Sequence, residues 1–281
     1  MKAGRESQTA VMVCMARAMA DGRPDVAGFT DPTALALLPD EARQRVERFR
    51  SGDVPRTLRG RFEHVFLDRR SKMMVARTIA IDEVVRAAAS PQVVILGAGL
   101  DGRAWRMAEL RDVTVFEVDH PDSQREKRAR AAALAQVARD VRFVPVDFTR
   151  DRLDDALAAA GHDPARATTW IWEGVVMYLE LADIEATLSV IGRRSAPRSR
   201  LVVMYFRPAL MSWLVGFIVR RVGEPFRSAF TPDQMRALLG RYGFTVTRDE
   251  TLPAIAGRLS AELAQATRPM KHMHIATADR P

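Results

Sequence analysis

Val93-Val94-Ile95-Leu96-Gly97-Ala98-Gly99-Leu100-Asp101-Gly102 is the stretch that decides the fold. Its four consecutive apolar residues suit a strand buried on both faces. Gly97-Ala98-Gly99 then turns the chain, and Arg103–Leu110 reads as a helix. Strand, glycine turn and helix together open a doubly wound α/β sheet. The spacing is also formally the dinucleotide fingerprint, with Glu117 twenty residues on as a ribose partner. Alone it is weakly specific, because any nucleotide-type cofactor that must approach the backbone closely favours glycine.

The same rhythm continues downstream. Val113–Asp119, Val141–Val146, Thr168–Trp172 and Leu201–Phe206 read as strands. Pro121–Val137, Leu153–Ala160 and Leu181–Ser195 read as helices between them. This alternation predicts a mostly parallel sheet with helices on both faces. Thr231-Pro232-Asp233-Gln234 is a helix start, with Thr as N-cap, Pro at N1 and Gln at N3. Gly243 stops that helix. Phe244–Asp249 and His272–Ala278 bring the strand count to seven.

Upstream, residues 1–90 read as an N-terminal helical cap, and residues 91–281 as the core, with an insertion at 207–230. Ser7–Met19 has loose helical spacing. Thr30-Asp31-Pro32 caps a short helix at Ala34–Leu38. Ser51–Pro55 breaks the chain, and Met73–Ala89 is expected to form a long amphipathic helix. In the insertion, Met211, Trp213, Leu214 and Phe217 would suit a lid over an apolar ligand, and equally ordinary core or a dimer contact.

Composition removes several alternatives. The 281 residues are 47% apolar and 28% charged, an ordinary globular balance that excludes disordered and collagen-like chains. The single Cys14 excludes an intramolecular disulfide framework and a Cys-based zinc site. Of 43 basic residues 39 are arginine, as GC-rich codon usage would produce, and the net charge of +8 would also attract anionic ligands. The basic residues are scattered, and the 7% of aromatics are not interleaved with them, so no nucleic-acid partner is expected. Thr9–Ala20 carries Arg17 within its apolar run, against a signal segment. Ala209–Val219 is too short for the roughly 20 residues a membrane span takes. A cytoplasmic protein, monomer or homodimer, is expected. No metal site, nucleophile elbow or P-loop pattern is present.

Carboxylates recur where successive strands end: Asp101, then Glu117 and Asp119, then Asp147, then Glu173. Doubly wound sheets bind ligands at that edge. A carboxylate at Asp101 would repel a pyrophosphate by about 4 kcal/mol per unit-charge pair at 4 Å and an effective dielectric of 20. S-adenosylmethionine has no phosphate and carries a sulfonium and an ammonium, which carboxylates suit. That cofactor is therefore expected ahead of a nicotinamide, and an NAD(P)-dependent oxidoreductase or a non-catalytic cofactor-binding protein is the alternative of another class.

The chain resembles the leucine carboxyl methyltransferase family, in the bacterial small-molecule O-methyltransferase branch that includes the tetracenomycin-type polyketide carboxyl methyltransferase. The resemblance covers nearly the whole chain. It is carried by Ser7-x-Thr9-Ala10, Arg17-Ala18, Asp31-Pro32, Ala76-Arg77 with Asp82, and Val94 to Asp101 with Arg103 and Arg106. Phe116-Glu117-Val118-Asp119-His120-Pro121, Asp147-Phe148 and Glu173 to Leu179 complete it. Gly102 departs from the family, which usually has Thr or Ser there, and so removes one hydroxyl near the turn. The resemblance implies a class I methyltransferase fold using S-adenosyl-L-methionine and releasing S-adenosyl-L-homocysteine. It implies that Gly97, in the turn with Gly99 and Asp101, approaches the methionine part. Asp119 would accept from the ribose, with Glu117 on the same side of the strand as its rival. Asp147 and Phe148 would face the adenine, and Glu173 the amino group. Arg77, and with it Arg17, would hold the carboxylate.

A carboxylate acceptor is already ionised at neutral pH and needs no general base, only an arginine fork to orient it. Arg17 and Arg77 are the positioning candidates. A phenol or enol would need a base, for which His64, His120 and Tyr178 are candidates. The expected activity is methyl esterification of a small apolar or aromatic acid of polyketide type, a reaction of secondary metabolism. A phenol, an enol or a protein C-terminal carboxylate remain alternative acceptors.

Overall fold

The glycine turn lies where the sheet changes direction. In the computed structural model, which describes residues 7–26, 29–52, 56–147, 150–208 and 226–281, β1 (Gln92–Leu96) is central. Around it lie β2 (Thr114–Asp119), β3 (Asp140–Pro145), β4 (Thr168–Trp172), β5 (Arg200–Phe206), β6 (Thr245–Thr251) and β7 (Met273–Asp279). The order is β3-β2-β1-β4-β5-β7-β6. β1 pairs in parallel with β2 on one side and β4 on the other. Only β7 runs antiparallel, against β5 and β6. The chain therefore leaves β1 and β4 in opposite directions, and a crevice opens above their carboxyl ends.

Alternation along each strand builds two cores. Val93 and Ile95 face one side of β1, Val94 and Leu96 the other, all at most 2% exposed. Each such side chain contributes about 1.5–3 kcal/mol on burial. The first face is covered by α1 (Gln8–Ala20), α2 (Ala34–Leu37), α3 (Asp40–Arg50) and α4 (Leu58–Ala88). α5 (Arg103–Arg106) follows β1, and α6 (Pro121–Ala131) follows β2. The second face carries α7 (Leu153–Ala159), α8 (Leu181–Arg193) and α9 (Pro232–Arg241). α10 (Leu252–Leu259) and α11 (Ala261–Thr267) join β6 to β7 and close the first face beside α4. Among the described residues, no helix is long and apolar enough to cross a membrane.

The expected elements form, with four differences. The helix expected over Arg103–Leu110 is α5, which ends at Arg106, and a separate 3-10 turn at Ala108–Leu110. α4 begins at Leu58, fifteen residues before Met73, because Thr57 caps it by accepting from the Gly60 N–H at 3.2 Å. α6 stops at Ala131 rather than running to Val137. α10 and α11 occupy a stretch the sequence analysis left without elements; the Thr251 and Ser260 hydroxyls cap their N-termini. The Thr231 capping box forms as expected. Of the 207–230 insertion, residues 209–225 lie outside the described residues, so the lid expectation for Met211, Trp213, Leu214 and Phe217 falls there too.

Candidate active site at the carboxyl edge of the sheet

Strand β1 delivers Gly97 and Gly99 into the crevice with φ of +70° and +47°. A Cβ at Gly97 would stand 2.4 Å from Val175 Cγ2, and one at Gly99 2.9 Å from Ala10 Cβ. The turn is therefore clasped between the β4 loop and α1. The Gly97 and Ala98 N–H groups donate to the Val118 carbonyl, at 2.8 and 3.0 Å. This leaves Gly99 N–H for Asp119 Oδ2, at 2.5 Å, while Asp119 Oδ1 accepts from His120 N–H at 2.6 Å. Burial pushes the Asp119 carboxyl up, and these two N–H groups only partly offset it. Asp119 thus stands at the edge with the turn.

Glu117 lies two residues earlier and is a core residue. It is wholly buried 2.6 Å from Lys127 Nζ, which itself sits 5.2 Å over the Trp105 ring. Burial pushes the Glu117 carboxyl up to about 7 against the pull of Lys127.

Beside the turn lies a buried ionic network. Arg103 Nε pairs with Asp82 at 2.7 Å, and its Nη1 pairs with Asp101 and, at 3.1 Å, with Glu173. Arg77 Nε lies 2.5 Å from Glu173 Oε1. Arg106 Nη1 pairs with Asp82 at 2.7 Å, and its Nε lies 3.5 Å from Asp31. Arg17 Nη1 donates to Asp31 at 2.9 Å, and Nη2 to the Leu100 carbonyl at 2.5 Å. Four guanidinium groups thus face four carboxylates: Arg17, Arg77, Arg103 and Arg106 against Asp31, Asp82, Asp101 and Glu173. Desolvation alone would raise Asp82, Asp101 and Glu173; the guanidinium groups overrule it and hold all three below the ordinary carboxyl range.

This network redefines several expected roles. Asp101 is turned to Arg103, whose backbone N–H also donates to its Oδ1 at 2.8 Å. It pins the start of α5 and is not a bare charge facing a ligand. Arg17 spends its fork on Asp31 and Leu100. Arg77 is different. Its Nε is close to Glu173 but off-line for a hydrogen bond, so a buried donor is left without a hydrogen-bond partner. Gly102 is explained by Thr33: a Cβ there would stand 2.2 Å from Thr33 Oγ1, which donates to Asp31 at 2.7 Å. Thr33 thus fills the space that a side chain at position 102 would need.

The other candidates separate. Asp147 closes β3, with its N–H on Asp151 Oδ2 at 2.8 Å; Phe148 lies outside the described residues. Tyr178 reaches the edge from the short turn Val176–Tyr178, its ring 5.6 Å from Phe226, which lies 5.2 Å from Phe206. His120 caps α6, its Nδ1 accepting from Asp122 N–H at 3.2 Å. His64 stacks on Phe49 at 4.6 Å, toward the N-terminal end of α4. His274 is buried. Its Nδ1 lies 2.8 Å from Asp249, to which Tyr205 also donates at 2.6 Å. Cys14 donates to the Ala34 carbonyl at 3.1 Å, and burial pushes its thiol up to about 11. Among the described residues no cluster of three metal-ligating side chains occurs.

A switch-point crevice with a glycine turn, an acid at the end of β2 and a seven-stranded sheet whose seventh strand is reversed defines a class I S-adenosyl-L-methionine-dependent methyltransferase. Solved structures share the fold. A Thermobifida fusca protein named, by inference, as a methyltransferase matches with a TM-score of 0.60 at 14% identity, over 99% of this chain and 96% of that one. A Streptomyces avermitilis protein of the DUF574 family matches with 0.57 at 13% identity, over 99% of both. The chain belongs to the leucine carboxyl methyltransferase family, whose model matches residues 10–192. Among its relatives, a Frankia alni protein is 36% identical over 258 residues, 89% of this chain and 80% of that one. A Mycolicibacterium gilvum protein is 33% identical over 273 residues, 93% and 87% of the two. Both are named, by inference, as S-adenosyl-L-methionine-dependent methyltransferases. S-adenosyl-L-methionine is the cofactor of this family, and the residues fit it. The orphaned Arg77 Nε suits a carboxylate, Glu173 an ammonium, and Asp119 a pair of ribose hydroxyls.

Proposed function

We propose that the enzyme methyl-esterifies the carboxylate of a small apolar acid. The observation that carries this is the distribution of the acid–base groups. His120 is used as a helix cap and His64 in a ring stack, whereas guanidinium groups crowd the edge where the reaction must occur. The family's own name, leucine carboxyl methyltransferase, supports the same acceptor chemistry. The wall formed by Tyr178, Phe206 and Phe226 supports an apolar one.

S-adenosyl-L-methionine supplies a methyl group already activated on a sulfonium. Esterification forms an O–C bond and breaks the C–S bond, whose electron pair stays on sulfur, and no proton moves. The chain's task is then position and charge. Arg77 and Glu173 hold the methionine end, Asp119 the ribose and Asp147 with Phe148 the adenine side. Holding both reactants in line is worth roughly 7–11 kcal/mol of the barrier. A second acceptor class, a phenol or enol, is favoured by one feature, the Tyr178 hydroxyl at the edge. Incubating the enzyme with S-adenosyl-L-methionine and matched panels of apolar acids and phenols, read by mass spectrometry, decides between them. The expected product gains one methyl group and is hydrolysed by mild alkali, as an ester is. An alkali-stable methyl ether made from phenols, with acids untouched, would overturn the carboxylate reading.

A further inference from the structure

One cavity lies outside the network. It measures about 270 Å³, close to the lower end for ligand pockets. Met12, Met15, Ala16 and Met19 of α1 line one wall; Glu63, Phe66, Leu67 and Arg70 of α4 line the other, with Arg45 from α3. Each wall is one helix face, residues spaced three, four and seven apart. Ala10 and Arg17 lie on the opposite face of α1, over the glycine turn. α1 is thus the partition between turn and cavity.

The polar groups of this cavity are unequal. Arg45 and Glu63 pair with each other at 2.8 Å. Arg70 has no ion-pair partner among the described residues, although it is half-buried. It lies seven residues before Arg77, two turns back on the same face and roughly 10 Å along the axis. Its surroundings supply the positive charge of Arg77 and the Tyr178 hydroxyl, both groups of the candidate site. Burial and Arg77 together lower the pKa of Arg70, and among the described residues no acid pairs with it. A half-buried guanidinium without an acid partner is available to an anion that enters the cavity. The thioethers beside it suit varied apolar shapes, because methionine side chains adapt to irregular surfaces.

We infer that Arg70 grips the carboxylate of the acceptor while the methionine-lined cavity between α1 and α4 holds its apolar body. The inference rests on the carboxyl-methylation reading and adds to it the residue that selects the substrate class. Arg70 is a specificity-determining contact, separate from the residues that hold the cofactor.

The test uses the full chain saturated with S-adenosyl-L-homocysteine, with octanoate, 1-naphthylacetate and their primary amides as calorimetric probes. Wild-type protein is expected to bind at least one acid, and its amide at least tenfold more weakly. Arg70→Gln is expected to abolish that discrimination while its affinity for S-adenosyl-L-homocysteine stays within twofold. Its melting temperature is expected to be equal or higher, since an uncompensated charge has been removed. Met12→Trp, which fills the cavity from a half-buried wall, is expected to weaken acid and amide alike. Two results overturn the inference: none of the probes binding wild type, or Arg70→Gln retaining the preference for acid over amide. Because these are binding measurements, they stand apart from the esterification assay. Acids that bind through Arg70 yet gain no methyl group would overturn the esterification reading and leave the anion site in place.

Discussion

Replacing Arg103 with methionine is the sharpest probe of the ionic network. Arg103 is 2% exposed and faces three carboxylates, Asp82, Asp101 and Glu173. Its removal leaves three guanidinium groups against four carboxylates, one buried negative charge in excess. Breaking a buried ion pair from one side costs about 3–5 kcal/mol, a large part of the 5–15 kcal/mol that holds a typical domain. A melting temperature lower by roughly 10 °C follows. The loss should depend on pH in a defined direction. In the wild type, Asp82, Asp101 and Glu173 are held below their ordinary range. They add stability that is complete above the unfolded carboxyl pKa, about 4, and is lost as pH falls through the lowered folded values. Without Arg103 these carboxyls rise, so the deficit should be largest at pH 7 and shrink towards pH 5. Asp101 has no other ion pair among the described residues. Arg103→Met combined with Asp101→Asn restores three against three and keeps an oxygen to accept the Arg103-position N–H. Urea unfolding at pH 7 and pH 5 measures all four members of the cycle. A single variant within 1 kcal/mol of wild type, or a double variant whose losses simply add, would refute the balanced-network account.

Three further outcomes follow from local geometry. Gly102→Ala should cost about 1–3 kcal/mol through its contact with Thr33 Oγ1; combining it with Thr33→Ala should recover part of that loss in thermal melts. Burial raises the folded Glu117 pKa to about 7, so its contribution weakens stability as pH rises from about 4.5 to 7. Glu117→Gln should flatten that slope in denaturant titrations across the same range, and an unchanged slope would remove Glu117 as its source. Asp119→Asn should lower S-adenosyl-L-homocysteine affinity by about tenfold or more, the worth of one charged hydrogen bond, with the melting temperature little changed; undiminished calorimetric binding would take Asp119 out of the site.

The parallel strands were legible because each is a continuous apolar run ending in a turn or an acid, and the reversed end because Thr231 and Gly243 bracket its helix. The first half of α4 was not. Phe62, Val65 and Phe66 are 76%, 65% and 54% exposed, so apolar periodicity there does not report burial. α10 and α11 announced themselves only through Thr251-x-Pro253 and Ser260, short cap signals without a long stripe behind them. In the site, Asp119, Glu173 and Arg77 could be placed from strand ends and family motifs. The partners of those residues could not, since pairing across 70 or 96 positions leaves no local mark. Asp31, Asp82, Arg103 and Arg106 carried the resemblance without a role until the fold brought them together. Thr33 is the clearest case: a side chain 69 positions away explains a glycine that looked like a loss.

The arginine excess takes on a different meaning once these pairs are known. Codon usage can supply arginine, but it cannot place four guanidinium groups against four carboxylates beneath a glycine turn. Nor could lysine serve equally there, because Arg103 reaches three acids at once through a planar fork. Summed over its members the network is neutral, and the buried Glu117–Lys127 pair cancels as well. Asp119 then remains as the one carboxylate of the turn without a cationic partner, held by two backbone N–H groups. On the proposed reading, Asp119 favours a ligand that carries positive charge. S-adenosyl-L-methionine has one net positive charge, and S-adenosyl-L-homocysteine, lacking the sulfonium, does not. With the network neutral, Asp119 at the turn and Arg70 beside Tyr178 are left as the uncompensated charges, and on the proposed reading the first attracts the donor's positive end and the second an acceptor anion.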